Sequence, residues 1–209
     1  MQSVVPKQFL LLKDKPILMH TMQTFHDVYN ELEFILVLPG EHISHWETLC
    51  EKHHFDIAHQ VCSGGDTRFY SVRNGLELIP EEGLVAIHDG VRPLVSEKVI
   101  VEGFELAAEK GNAIPCVGIS ESVRIADGTT SLPADRSVLR IIQTPEVFRV
   151  SLIKRAYQAD YHTAYTDDAS VLERMGEKIH LFPGNPENIK ITGPTDLVVA
   201  EAFLDALNS

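Results

Sequence analysis

Leu84-Val85-Ala86-Ile87-His88-Asp89-Gly90-Val91-Arg92-Pro93 is the stretch on which the fold turns. Four apolar residues in a row read as a buried strand, and the run stops abruptly in an acid, a glycine, an arginine and a proline. In open α/β sheets the crevice beyond the carboxyl ends of the strands is where ligands bind. Asp89 and Arg92 placed there suggest a metal and phosphate site. Asp, Gly and Pro are also ordinary turn formers, so on this segment alone a solvated turn reads equally well.

Working outward, short apolar runs alternate with helical periodicity. Leu18, Met22, Phe25 and Tyr29 stack on one helical face, and Phe34-Ile35-Leu36-Val37-Leu38 reads as a strand closed by Pro39-Gly40. Ile43, Trp46 and Cys50 repeat at helical spacing, residues 57–62 form a weaker strand ended by Gly64-Gly65, and Phe69, Val72, Leu76 and Ile79 mark the next helix. Ser96 caps a helix running to Lys110, Gly111 stops it, and residues 113–117 give another strand. This rhythm predicts an α/β fold: a doubly wound, mostly parallel Rossmann-like sheet with helices on both faces.

The rhythm breaks over residues 118–142. Residues 122–126 and 138–142 flank a turn around Asp127-Gly128 and Pro133, which reads as a β-hairpin. A two-stranded hairpin is marginal alone, so its apolar residues need a partner surface. Helical patterning resumes at Leu152-Ile153-Ala156-Tyr157 and after Thr166-Asp167-Asp168, whose acids suit a helix N-terminus. Strands at 179–182 and 189–192 and a helix carrying Leu197, Ala200, Leu204 and Leu207 complete a single domain over residues 1–209.

The composition narrows the function. A net charge of −12 disfavours nucleic-acid binding, which requires a basic field, but leaves room for a small phosphorylated substrate held by a few focused cations and a divalent metal. No segment has the apolar length of a membrane span, and the N-terminus lacks a secretory pattern, so the expected address is the cytoplasm. Cys50, Cys62 and Cys116 read as reduced core thiols. The ten histidines match no metal-ligand spacing.

Several residues gather where such a sheet builds its site. Lys7 precedes a helical segment, Gly64-Gly65-Asp66-Thr67-Arg68 joins a strand to a helix, and Lys190 alternates with Ile189 and Ile191. Each alone is ordinary. Together with Asp89, Arg92 and Arg136 they fall at element ends or in loops, where function concentrates.

These segments, with Ser71-Val72, Gln143-Thr144-Pro145, Thr166-Asp167-Asp168-Ala169-Ser170 and Asn188-Ile189-Lys190-Ile191-Thr192, resemble in their order the 2-C-methyl-D-erythritol 4-phosphate cytidylyltransferases over essentially the whole chain. The resemblance implies transfer of a cytidylyl group from CTP to methylerythritol phosphate with release of pyrophosphate, in non-mevalonate isoprenoid synthesis. It implies Lys7 and Lys190 as the phosphate-binding catalytic lysines, and Gly64, Gly65, Asp66, Arg68 and Ser71 around the nucleotide. It places Asp89, Arg92, Ser122, Arg136 and Thr144 at the sugar phosphate, with Asp89 beside Mg²⁺. It also implies a homodimer in which the arm at 118–142 reaches the neighbouring subunit.

A ribitol 5-phosphate cytidylyltransferase and a non-catalytic nucleotide-binding dimer are the alternative readings. Ser71 and the run 166–170 look closer to the erythritol branch. The family begins with a buried strand and a Gly-rich loop wrapping the triphosphate. Met1-Gln2 aligns with the tail of that loop, so the strand and loop are expected upstream, and without them neighbouring strands should show unpaired edges and an open core.

Overall fold

A computed structural model describes residues 6–207; the alignment of Met1-Gln2 with a loop tail lies outside the described residues. A 3-10 turn at Lys7–Phe9 leads into β1 (Leu11–Leu12), β2 (Lys15–Pro16) and α1 (Ile17–Val28). Then come β3 (Phe34–Leu38), α2 (Ile43–His53), β4 (His59–Ser63), α3 (Arg68–Glu77), β5 (Leu84–Ile87), α4 (Glu97–Lys110) and β6 (Asn112–Gly118). The second half holds β7 (Arg124–Asp127), β8 (Thr130–Pro133), β9 (Arg140–Ile142), β10 (Glu146–Arg149), α5 (Val150–Ala156), α6 (Asp168–Glu173), β11 (Leu181–Pro183) and α7 (Pro194–Leu207).

Local sequence explains most boundaries. The Ser96 side chain accepts from the Val99 N–H at the start of α4, and Gly111 ends that helix at φ 92°, a conformation that favours glycine. The Asp167 side chain accepts from the Ser170 N–H while Ser170 reaches back to the cap, so α6 opens on a reciprocal capping box. The apolar face of α1 is buried as its spacing predicts.

The sheet is mixed rather than mostly parallel. Its strand order is β11-β6-β10-β5, with β9 also on β6, while β3 and β4 form a separate parallel pair. The strand that changes the picture is β10, antiparallel to both β5 and β6. Its apolar part is only Val147-Phe148 between charged Glu146 and Arg149, too short to show a period in the sequence.

The hairpin is also paired differently from expectation. β7 pairs with β8 from Arg124↔Pro133 to Asp127↔Thr130, so the turn at Gly128 is tighter, and β9 leaves the hairpin to pair with β6. All four residues of β7 are exposed. Residues 189–192 form no strand; the Ile191 N–H instead donates to the Val91 carbonyl at 3.0 Å.

β3 and β5 exchange no ladder bonds, and both line a cavity of about 730 Å³, with Val72 and Leu76 of α3 facing it too. The ladder is interrupted between these two strands. Side-chain packing bridges it, since Phe34 of β3 and Leu84 and Ala86 of β5 pack against a shared buried cluster. Trp46, Leu38 and Met22 belong to one buried cluster, and Phe148, Ile114, Ile153 and Leu172 to another. His59, one of the histidines crowded in the sequence, is occupied by accepting from Trp46 Nε1 at 2.9 Å.

Phe148 is fully buried at the middle of the mixed sheet. Phe148→Ala is expected to cost about 3–5 kcal/mol, because the neighbouring strands cannot collapse into the space it leaves. Equilibrium denaturation of the variant against the parent chain measures it.

Candidate functional site

The site assembles where β5 ends. Ile87 closes the strand, and the chain turns over residues 88–92, with the Arg92 N–H donating to the Asp89 carbonyl at 3.0 Å. This turn aims two cations at one carboxylate oxygen. Arg92 Nε lies 3.0 Å and Lys190 Nζ 3.1 Å from Asp89 Oδ2. Burial opposes ionisation of Asp89, but Lys190 and Arg92 outweigh it and hold the carboxyl below its ordinary range.

The second arm of Arg92 donates to the Asn188 carbonyl at 2.8 Å. Asn188 is fully buried, its side-chain amide donates to the Thr144 carbonyl, and Gln143 Nε2 donates to the Asn185 and Asn188 carbonyls. Lys190 is thereby carried on a segment pinned from both sides, while its own head remains half exposed. Lys7 is exposed, and its side chain makes no hydrogen bond or ion pair among the described residues. Leu10, Val91 and Ile189 pack against the cluster formed by Leu12, Leu94 and Ile191, which brings the segment bearing Lys7 toward the segment bearing Lys190.

The glycine turn lies beyond the end of β4. Its loop is closed on itself, with the Gly65 N–H donating to Ser71 Oγ at 3.1 Å and Ser71 Oγ donating to the Thr67 carbonyl at 2.9 Å. A side chain would not fit here. A Cβ on Gly64 would stand 2.8 Å from Ser71 Oγ, and one on Gly65 2.5 Å from Tyr70 Cβ. Gly64, Gly65, Asp66 and Ser71 line a pocket of about 290 Å³ together with Pro39, Gly40 and Glu41 from the end of β3. Val37, Leu38, Pro39 and Ser71 also line the larger cavity that reaches Asp89, so the pocket and the Asp89 turn share walls.

Behind the glycine turn is a buried ionic cluster. Arg68, the first residue of α3, grips Asp168 with both terminal nitrogens at 2.8 and 2.5 Å, and the Tyr157 hydroxyl donates to the same carboxylate. Glu146 accepts from the backbone N–H groups of Asp168 and Ala169 at the start of α6. Burial, reinforced by Asp168 and Asp167, pushes the Glu146 carboxyl well up from its ordinary value, and burial together with Asp168 pushes the Tyr157 hydroxyl up as well.

The geometry therefore presents a cation-rich carboxylate next to a glycine-lined pocket at strand ends, in a chain similar in sequence and fold to known proteins. The sequence signature described as "IspD: 2-C-methyl-D-erythritol 4-phosphate cytidylyltransferase" matches residues 1–206. The chain belongs to this family. A 2-C-methyl-D-erythritol 4-phosphate cytidylyltransferase of Bacteroides thetaiotaomicron is 48% identical over 204 residues, covering 98% of this chain and 93% of the relative. A crystal structure of the Thermus thermophilus cytidylyltransferase superposes with a TM-score of 0.81 at 28% identity, covering 96% of this chain and 94% of that one. A 4-diphosphocytidyl-2C-methyl-D-erythritol synthase superposes with a TM-score of 0.84 at 26% identity over 95% and 94%.

In this cytidylyltransferase the structure brings Asp89, Arg92 and Lys190 into direct contact and sets Gly64, Gly65, Asp66 and Ser71 around one pocket. Ser122 and Arg136 sit apart from them. Both are exposed beside the β7–β8 hairpin, and Arg136 donates to the Ser120 carbonyl. Thr144 is buried next to the cis Thr144–Pro145 peptide, with its hydroxyl accepting from the Asp89 N–H at 3.1 Å. Arg68 has its guanidinium committed to Asp168.

Sequence reasoning passed over Pro39-Gly40-Glu41, although residues just past the end of a strand are where the crevice rule would have looked. It also passed over Glu146, Tyr157 and Asn188. No sequence spacing joins these to their partners, because the contacts span 11 to 96 residues of chain.

Arg68→Met should destabilise the fold by about 3–5 kcal/mol, since it leaves the fully buried Asp168 without its counter-ion. Asp168→Asn should cost less, because the half-exposed Arg68 can be solvated instead. Urea titration of both variants checks the order.

Proposed function

We propose that the chain joins CTP and 2-C-methyl-D-erythritol 4-phosphate, forming the CDP-linked product and pyrophosphate in non-mevalonate isoprenoid biosynthesis. The observation that carries this reading is the convergence of Lys190 and Arg92 on Asp89 beside the glycine-lined pocket, in a chain of net charge −12. An acidic surface with one cation-lined cleft suits small polyanions.

A phosphate monoester has a second pKa of about 6, so at neutral pH its oxygen is already an anionic nucleophile and needs no general base. That oxygen attacks the α-phosphorus of CTP, the bond from the α-phosphorus to the bridging oxygen of pyrophosphate breaks, and pyrophosphate leaves with the electron pair. The obstacle is repulsion between two polyanions. Lys7 and Lys190 neutralise charge on the triphosphate, Gly64, Gly65, Asp66 and Ser71 receive the cytidine, and Arg92 and Asp89 shape the sugar-phosphate side. In this reading Arg68 supports the nucleotide turn through Asp168, and Thr144 supports the sugar side through the Asp89 amide.

Both cations meet Oδ2 of Asp89, leaving Oδ1 without a hydrogen bond among the described residues, and no cluster of three carboxylate, histidine or cysteine ligands occurs among them. One free carboxylate oxygen fits Mg²⁺, which commonly takes one or two carboxylates and completes its shell with substrate phosphates and water. Bound there by Asp89, the ion would supply further neutralisation of phosphate charge.

The arm at 118–142 is proposed as the dimer contact carrying Ser122 and Arg136 toward the partner's sugar-phosphate pocket. Ile125, Leu132, Val138 and Ile141 are 50–75% exposed, an apolar surface with no cover in the monomer. A cytoplasmic location accords with the absence, among the described residues, of any helix long and apolar enough to cross a membrane.

Incubation with CTP, Mg²⁺ and methylerythritol phosphate should release pyrophosphate, with ribitol 5-phosphate in parallel as the competing acceptor. Lys190→Ala should lower turnover by about 10²-fold or more while the unfolding midpoint stays put, since the lysine head is half exposed. Ile125→Asp with Val138→Asp should shift the chain from dimer to monomer in sedimentation velocity; a parent chain that sediments as a monomer would refute the arm's role.

A further inference from the structure

His88 lies inside the site, yet the reaction gives it no proton to move. Its ring is held on three sides. Nε2 is 3.0 Å from the Arg92 carbonyl oxygen, Nδ1 is 3.0 Å from Thr144 Oγ1, and the Phe25 ring meets the imidazole in a T-shaped contact at 4.8 Å between centroids.

These partners fix the protons one after another. The Arg92 carbonyl can only accept, so Nε2 must carry a hydrogen. Thr144 Oγ1 already accepts from the Asp89 N–H, and its own proton has one acceptor within reach among the described residues, His88 Nδ1. Nδ1 is therefore bare. The sequence of donors runs from the Asp89 N–H to Thr144 Oγ1–H to His88 Nδ1, and from His88 Nε2–H to the Arg92 carbonyl. An Nδ1–H tautomer would set the Nε2 lone pair against a carbonyl oxygen.

The consequence concerns the residues on either side. Asp89 and Arg92 are the ends of one turn, and the imidazole ties that turn to itself at Arg92 and, through Thr144, to the chain entering β10. We propose that His88 is a positioning residue for cytidylyl transfer, acting through its ring contacts with the Arg92 carbonyl and Thr144 Oγ1. It holds the Asp89–Arg92 turn so that carboxylate and guanidinium keep their shared geometry with Lys190. The effect on turnover rests on the cytidylyltransferase reading; the tautomer does not.

Two measurements test it. In ¹⁵N-histidine-labelled protein at neutral pH, long-range ¹H–¹⁵N correlation, assigned with His88→Gln, should show a protonated Nε2 and an unprotonated Nδ1 for His88. An Nδ1–H tautomer overturns the proposal. In kinetics, His88→Phe keeps a ring against Phe25 but removes both hydrogen bonds. It should lower kcat/KM for the sugar phosphate about tenfold or more with KM for CTP little changed. His88→Gln, whose amide can still donate toward the Arg92 carbonyl, should recover part of the loss. Unchanged kinetics in a folded His88→Phe, or equal losses toward both substrates, overturn the role. If the parent chain releases no pyrophosphate, the functional reading fails, while the NMR result still decides whether His88 is locked as described.

Discussion

The rest of the structure depends on the antiparallel insertion of β10 between β5 and β6. Its register, Glu146 opposite Ile87 and Phe148 opposite Asn112, places three different jobs on neighbouring residues. Just before the strand, Thr144 meets the Asp89 amide; at its first residue, Glu146 receives the N-terminus of α6; in its middle, Val147 and Phe148 are completely buried. A shift of one residue would turn each of these side chains to the other face of the sheet, so packing and site geometry cannot vary independently.

From that strand the two walls of the site are built in parallel ways. On the Asp89 side, Thr144, Asn188 and Arg92 tie the Asp89 turn to the segment carrying Lys190. On the side of the glycine turn, Glu146 seats α6, which presents Asp168 to Arg68 and so fixes the start of α3. In both cases a buried polar group acts through another that faces the cleft. Buried hydrogen-bonded groups of this kind are costly to leave unpaired, which restricts the arrangements the cleft can adopt.

Much of this was legible in the chain. The strand 84–87 ending in Asp89, the capped helix from Ser96 to Gly111 and the glycine turn all follow from local pattern, because their causes are local: an apolar run, a cap, a residue that cannot carry a Cβ. The ordered motifs did more, since together they specify a family that no single one does. What stayed hidden was long-range. β10 has two apolar residues and a partner far back in the chain, and β9 leaves an expected hairpin for β6, a choice made by the sheet rather than by the strand's own sequence. Arg68 stands beside the glycines in sequence, and only the fold shows that its guanidinium grips an acid far along the chain.

The pocket wall from Pro39 and the glycine turn belongs to the β3–β4 pair, whereas Asp89 belongs to the larger sheet. Among the described residues no backbone ladder joins the two, and side chains of α1, α3 and α4 pack on both. A substitution on one of those helices can therefore alter the distance between the glycine turn and Asp89 while leaving every residue of either wall unchanged.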